Sequence, residues 1–166
     1  MTRSFIYKAM AAGSAMALLS GCAAIGLGGE ADARWADYKN WTQVSEPTTG
    51  ASPGLGAVHK GPEGYRVVFV NDIGKDTILG DGPYEYPEGT VVVKEQYDNE
   101  AAAISGTDAE VTVSLKVASG AGADTWNWAT SYTATAGESA FCSGCHSIPF
   151  AKDFVFSNSE YLAANE

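Results

Sequence analysis

The most regular pattern in the chain runs through residues 110–117, where Val111, Val113, Leu115 and Val117 alternate with polar residues. A period of two with one apolar face predicts a half-buried antiparallel strand. Residues 65–70 form a second β-rich run, closed by Asn71 and Asp72, and residues 90–97 a third. In that third run Val91, Val92 and Val93 are consecutive, so both faces of the strand are apolar and the strand is expected to be covered on both sides. Residues 125–135, with Trp126, Trp128 and Tyr132 placed on one face, predict a fourth strand, and residues 153–156 a final apolar piece. Trp35, Tyr38 and Trp41 recur at steps of three and predict a short amphipathic helix over residues 34–44. Pro, Gly and Thr density makes residues 45–64 and 80–89 loops, and residues 120–124 a turn. The sum is a mainly β (α+β) fold: an antiparallel sheet of four to five strands with short helices, without repeats or a second domain.

The first 33 residues follow a different pattern. Arg3 and Lys8 precede an apolar run over residues 9–19, and no acidic residue occurs before Glu30. The run is too short to span a bilayer and reads as a secretion signal. It ends Leu19-Ser20-Gly21-Cys22, which resembles the lipobox of bacterial lipoproteins, where the cysteine is acylated and becomes the first residue. Several acyl chains on Cys22 give stable membrane anchoring. Ala23 after the cysteine, by the same resemblance, directs the protein to the outer membrane. The competing reading is an ordinary signal cleaved after Ala31-Asp32-Ala33. The expected organisation is therefore a signal peptide over residues 1–22, a small-residue tether over 23–33 and one domain over 34–166. Location in a bacterial periplasm goes with it.

Removing Arg3 and Lys8 with the signal takes the formal charge from −10 to −12, since all 20 acidic residues lie beyond it. Such a surface argues against nucleic acid or anionic lipid headgroups as partners and suits a basic electron-transfer partner.

The chemistry is concentrated in Cys142-Ser-Gly-Cys145-His146. Cys-x-x-Cys-His is the attachment signature of c-type haem. Each thiol adds to one vinyl group, and the histidine supplies an axial nitrogen to the iron. A zinc site would need about four ligands, and the chain beyond the signal offers only these three and His59. A redox dithiol has no use for the trailing histidine. One covalent haem c is the expected cofactor. With Cys22 lipidated, no cysteine is left for a disulfide.

Met1, Met10 and Met16 all leave with the signal, so no methionine remains as a sixth ligand. His59, in the loop before the first long strand, is the other histidine. The sequence favours a surface position for it but leaves it open as a sixth ligand, which would make a bis-histidine electron carrier. If neither His59 nor a lysine closes the site, the iron is five-coordinate and open to small molecules.

Several landmarks resemble the cytochrome P-460 and cytochrome c′-beta family. They are Tyr38-Lys-Asn-Trp41, Val68-Phe-Val-Asn71, Gly89-Thr-Val-Val-Val-Lys94-Glu95, the strand with Trp126 and Trp128, the haem motif, and Asp153-Phe-Val-Phe156. The resemblance implies an antiparallel β fold, often dimeric, with five-coordinate haem. It also implies either of two activities. In one branch a lysine, here Lys94, bonds to the haem edge and the protein oxidises hydroxylamine or nitric oxide. In the other branch that bond is absent and the protein binds nitric oxide or carbon monoxide. From the strand pattern alone Lys94 reads as emerging into solvent, because buried unpaired lysine is rare; the resemblance turns it towards the haem. Glu95, Glu110 and Glu138 are the carboxylates available as a distal base, none singled out by spacing. Phe69, Tyr86, Phe141 and Phe150 could cap a distal pocket or simply pack in the core.

Overall fold

Two of the sequence patterns, alternation in one strand and continuous apolarity in its neighbour, describe adjacent interior strands of the same sheet. The computed structural model describes residues 30–49, 58–148 and 151–163. The signal, Cys22, most of the tether and Phe150 lie outside the described residues. The sheet is built from β1 (Thr42–Gln43), β2 (Thr48–Thr49), β3 (Tyr65–Val70), β4 (Val91–Tyr97), β5 (Glu110–Lys116) and β6 (Trp126–Ala129). Its order is β1-β3-β4-β5-β6, with β2 also paired to β3, and every pairing is antiparallel. Among the described residues four short helices accompany it: α1 (Lys75–Leu79), α2 (Glu100–Ser105), α3 (Ala140–His146) and α4 (Ser159–Ala163). The chain is thus mainly β, with an antiparallel sheet and few short helices.

Central β4 is covered on both faces, as its three consecutive valines require. One face carries Phe69, Val93, Val113 and Ala129 in register. Trp35, Tyr38 and Ala103 of α2 close over it. Full burial of such side chains stabilises the fold by about 1.5–3 kcal/mol each. The other face carries Val70, Val92, Ser114 and Trp128 in register, and one step along it Val68, Lys94 and Thr112. Ile78, Tyr86, Trp126 and Val155 pack on this second face.

Asn71 ends β3 by bonding three ways: its amide donates to the Gly89 carbonyl, and its oxygen accepts from the amides of Gly74 and Val91. Gly89 sits at φ 87°, a conformation glycine adopts without a Cβ penalty, and it starts the chain into β4. α2 is capped by Asn99, which accepts from the Ala102 amide, and stops at Gly106 with φ 68°.

Several element boundaries differ from expectation. Residues 34–44 do not form an α-helix: a 3-10 turn at Tyr38–Asn40 leads directly into β1. Trp35 and Tyr38 are buried on one side regardless, because a 3-10 turn also repeats near every three residues. The fourth strand stops at Ala129, and Tyr132 packs against Tyr38 on the face opposite Trp126 and Trp128. The loop over 45–64 contains β2 and a 3-10 turn at Val58–Lys60.

Candidate haem site

α3 carries the motif. Ser139 caps it by accepting from the Cys142 amide at 3.2 Å, and the two thiols lie three residues apart, hence on one side of the helix. Both are free and part-buried. His146 ends the helix, and its Nδ1 lies 2.8 Å from the Phe154 carbonyl oxygen. A carbonyl only accepts, so Nδ1 carries the proton and Nε2 keeps its lone pair for a metal. Burial pushes the His146 pKa down to about 4; the Phe154 carbonyl opposes this and the Lys94 charge adds to it. The imidazole is therefore neutral at pH 7, the form that ligates iron. Its ring packs against Phe156 with centroids 5.0 Å apart and against Trp128 at 6.4 Å.

Lys94 leaves β4 on this same face. Burial holds its amine down to about 7, and the Arg66 charge lowers it further, while the thiols of Cys145 and Cys142 pull it back up. An amine that senses both thiols shares their side of the sheet. The strand pattern on its own placed Lys94 in solvent; in the structure it is half-buried on the face that carries the motif.

His59 is also brought into the site rather than left on the surface. It stands at φ 53°, followed by Lys60 at φ 61°, a left-handed pair held from outside the turn. The Arg66 guanidinium donates to the carbonyls of His59, Gly61 and Gly64 at 2.9, 2.6 and 2.7 Å. The His59 ring lies edge-on to His146 with centroids 6.4 Å apart. Burial drives its pKa down to about 3, and the charges of Lys94, His146 and Arg66 add to this, against a partial opposing effect of Gln96.

The three proposed base carboxylates are elsewhere. Glu95 follows Lys94 and so points to the opposite face, where it is 1% exposed. There it accepts from the hydroxyls of Tyr38 and Tyr97, both at 2.6 Å, and pairs with Lys39. The hydroxyl pKa values of Tyr38 and Tyr97 are raised by burial and by that carboxylate. Glu110 is exposed and pairs with Lys60 at 2.7 Å. Glu138 is exposed ahead of α3. Among the capping aromatics, Phe69 lies on the opposite face against Tyr38, and Phe141 is 71% exposed. Tyr86 is on the correct face but packs edge-on to Trp126. A hollow of about 420 Å³ beside Phe69, Glu95 and Tyr97 is likewise on the far side of the sheet from the motif.

Arg66, Gln96, Trp128 and Lys116 were not identified in the sequence as site residues. Arg66, Gln96 and Lys116 occupy polar positions of their strands, which the pattern reads as solvent-facing, and Trp128 reads as generic packing. The Trp128 indole N–H is buried without a hydrogen-bond partner, and the Gln96 side chain is bonded to the His59 ring. Gly144 has open space where a Cβ would stand. Two free thiols, a neutral imidazole with Nε2 available and an unsatisfied indole N–H fit a haem. They do not fit a zinc site: among the described residues no three His, Cys, Asp or Glu side chains converge on a point.

An antiparallel sheet with a Cys-x-x-Cys-His helix packed on one face defines a β-sheet haem protein. The sequence model of cytochrome P460 matches residues 35–157, nearly all of the described domain. The chain belongs to the cytochrome P460 family, c-type haem proteins of nitrogen chemistry, and haem is its cofactor. A comparison with curated proteins finds no match.

Proposed function

We propose that the protein oxidises hydroxylamine or nitric oxide at a single haem. Cys142 and Cys145 hold that haem covalently, His146 ligates it, and Lys94 bonds to its edge. The observation that carries this reading is the position and state of Lys94. An ordinary lysine is charged at pH 7 and is no nucleophile; burial beside the two attachment thiols lowers this one to about 7, so that about half of it is the neutral, nucleophilic amine at that pH. The bound haem supplies the redox-active iron. The chain's part is to fix His146 through the Phe154 carbonyl, to hold the porphyrin at three covalent points and to wall it with Trp128, Phe154 and Phe156. Removing electrons from hydroxylamine also removes protons. His59 is the titratable imidazole brought to this face, in place of the carboxylates.

The experiment is spectroscopic. A cross-linked porphyrin has broken conjugation at its edge, so the ferrous Soret band should be strongly red-shifted from that of ordinary c-type haem. Lys94→Ala should restore the ordinary band and abolish hydroxylamine oxidation while the haem stays attached. An ordinary wild-type spectrum without turnover would leave the protein a binder of nitric oxide or carbon monoxide.

A second reading has its own observation. His59 lies edge-on to His146 with ring centroids 6.4 Å apart, so His59 would be available to the iron as a second histidine ligand. With both histidines bound the protein would be a low-spin electron carrier, and a change to high spin in His59→Ala would select it. In either case we propose a periplasmic protein anchored through lipid on Cys22, at the outer membrane. We also propose that it exchanges electrons with a basic partner.

A further inference from the structure

Lys116 and Asp153 form an ion pair removed from water on both sides. Their side chains are 0% and 4% exposed. The Lys116 ammonium donates to both Asp153 oxygens at 2.9 and 2.7 Å, to the Gly120 carbonyl at 2.7 Å and to the Thr125 hydroxyl at 3.0 Å. The Trp126 indole N–H donates to Asp153 Oδ1 at 3.2 Å and the Tyr86 amide to Oδ2 at 3.0 Å. Buried ion pairs contribute little to stability compared with well-packed apolar residues, so such a pair calls for another explanation.

The backbone that bears the aspartate gives one. Asp153 and Phe154 lie at φ 45° and 66°, successive left-handed residues at the tip of a tight turn closed by the bridge between Lys152 and Val155. That is the pattern of a type I′ turn, which normally takes Asn-Gly. Here the second position is a phenylalanine, a strained choice that persists only if the surroundings enforce it. The carbonyl delivered by that strained residue is the one that accepts from His146 Nδ1 at 2.8 Å. One end of the turn tip is fixed by a buried charge, and the other end holds the axial histidine.

We propose that the Lys116–Asp153 pair is a positioning device for the axial ligand. It locks the turn so that the Phe154 carbonyl faces Nδ1, which increases electron donation from Nε2 and sets the reduction potential of the iron. The inference rests on His146 being that ligand. Outer partners of ligating histidines raise ligand basicity, and their loss typically costs about tenfold or more in metal affinity or activity. A tenfold change in the ratio of oxidised to reduced binding corresponds to about 59 mV for one electron.

The test uses the haem-loaded protein and two readouts, the iron–histidine stretching band of the ferrous form and the midpoint potential. Asp153→Asn keeps the shape of the side chain and removes its charge. It should lower the stretching frequency and raise the potential by about 59 mV. Lys116→Met should act in the same direction. Trp126→Phe removes one bond to Asp153 and no charge, and it should give a smaller shift of the same sign, which keeps the idea testable if the charge variants do not fold. Arg34→Met, at an exposed pair with Asp32, should leave both readouts unchanged. Folded variants with wild-type band and potential would overturn the proposal while leaving the haem assignment intact. Absence of an iron–histidine band from the wild type, unchanged in His146→Ala, would overturn the axial assignment and this inference with it.

Discussion

The state of Lys94 makes a quantitative forecast about how the haem cross-link forms. Its pKa falls from 10.5 to about 7, first through burial and then through the Arg66 charge. That difference corresponds to about 5 kcal/mol between the two protonation states. At pH 7 about half of the molecules carry the neutral amine, against roughly one in three thousand for an ordinary lysine. Forming the bond replaces one N–H and one porphyrin C–H with a C–N bond, releasing two protons and two electrons to an added oxidant. Protein loaded with haem under reducing conditions should therefore remain uncross-linked until oxidant is supplied. The rate of cross-linking should rise about tenfold per pH unit below the pKa and level off above it. Mass spectrometry reads the product as a species lighter by two hydrogen atoms than the simple haem adduct, and the red-shifted ferrous Soret band follows the same reaction. Arg66→Met removes the second cause of the shift and should move the midpoint upwards. A rate that keeps climbing towards the pKa of an ordinary lysine would refute the argument from burial. The complete absence of the lighter species would refute the bond itself.

Four shorter predictions follow from the same geometry. Glu95→Ala should cost about 1–3 kcal/mol in denaturant unfolding for each of the two buried tyrosine hydroxyls it strips of their acceptor, with little added by the exposed Lys39, yet it should leave the haem spectrum unchanged. A spectral change would put Glu95 back at the site. His146 and His59 are neutral when folded, with pKa values of about 4 and 3 against 6.5 unfolded. The unfolded haem-free chain thus binds more protons in acid, and stability, complete above about pH 6.5, should drain away as pH falls towards those values; flat stability across that window would contradict it. Arg66→Met should free the loop that presents His59, so a six-coordinate iron should become high-spin in this variant as in His59→Ala, and a low-spin spectrum surviving in both would exclude His59 as a ligand. Cys22→Ser should release the protein from the detergent phase or block its processing, whereas a wild type already wholly aqueous would rule out lipidation.

The sequence by itself determined the class of this protein. Cys142, Cys145 and His146 are adjacent in the chain, and chemistry carried by near neighbours needs no fold to be recognised. The strands were legible for the same reason, since a period of two is a local property, and the three valines of β4 announced cover on both faces. Tertiary structure decided the rest. Alternation states that Lys94 and Glu95 face opposite ways but not which of the two faces the haem motif, because a sheet has two sides until something packs on one. α3 supplies that asymmetry, and with it Glu95 leaves the site and Lys94 enters it. His59 looked like a loop histidine because the guanidinium that turns its loop inwards belongs to Arg66, on β3. Lys116 looked like a polar residue on the wet side of an alternating strand. Its burial depends on Asp153, 37 residues away, and a pair whose partners meet only on folding leaves no pattern in either segment alone.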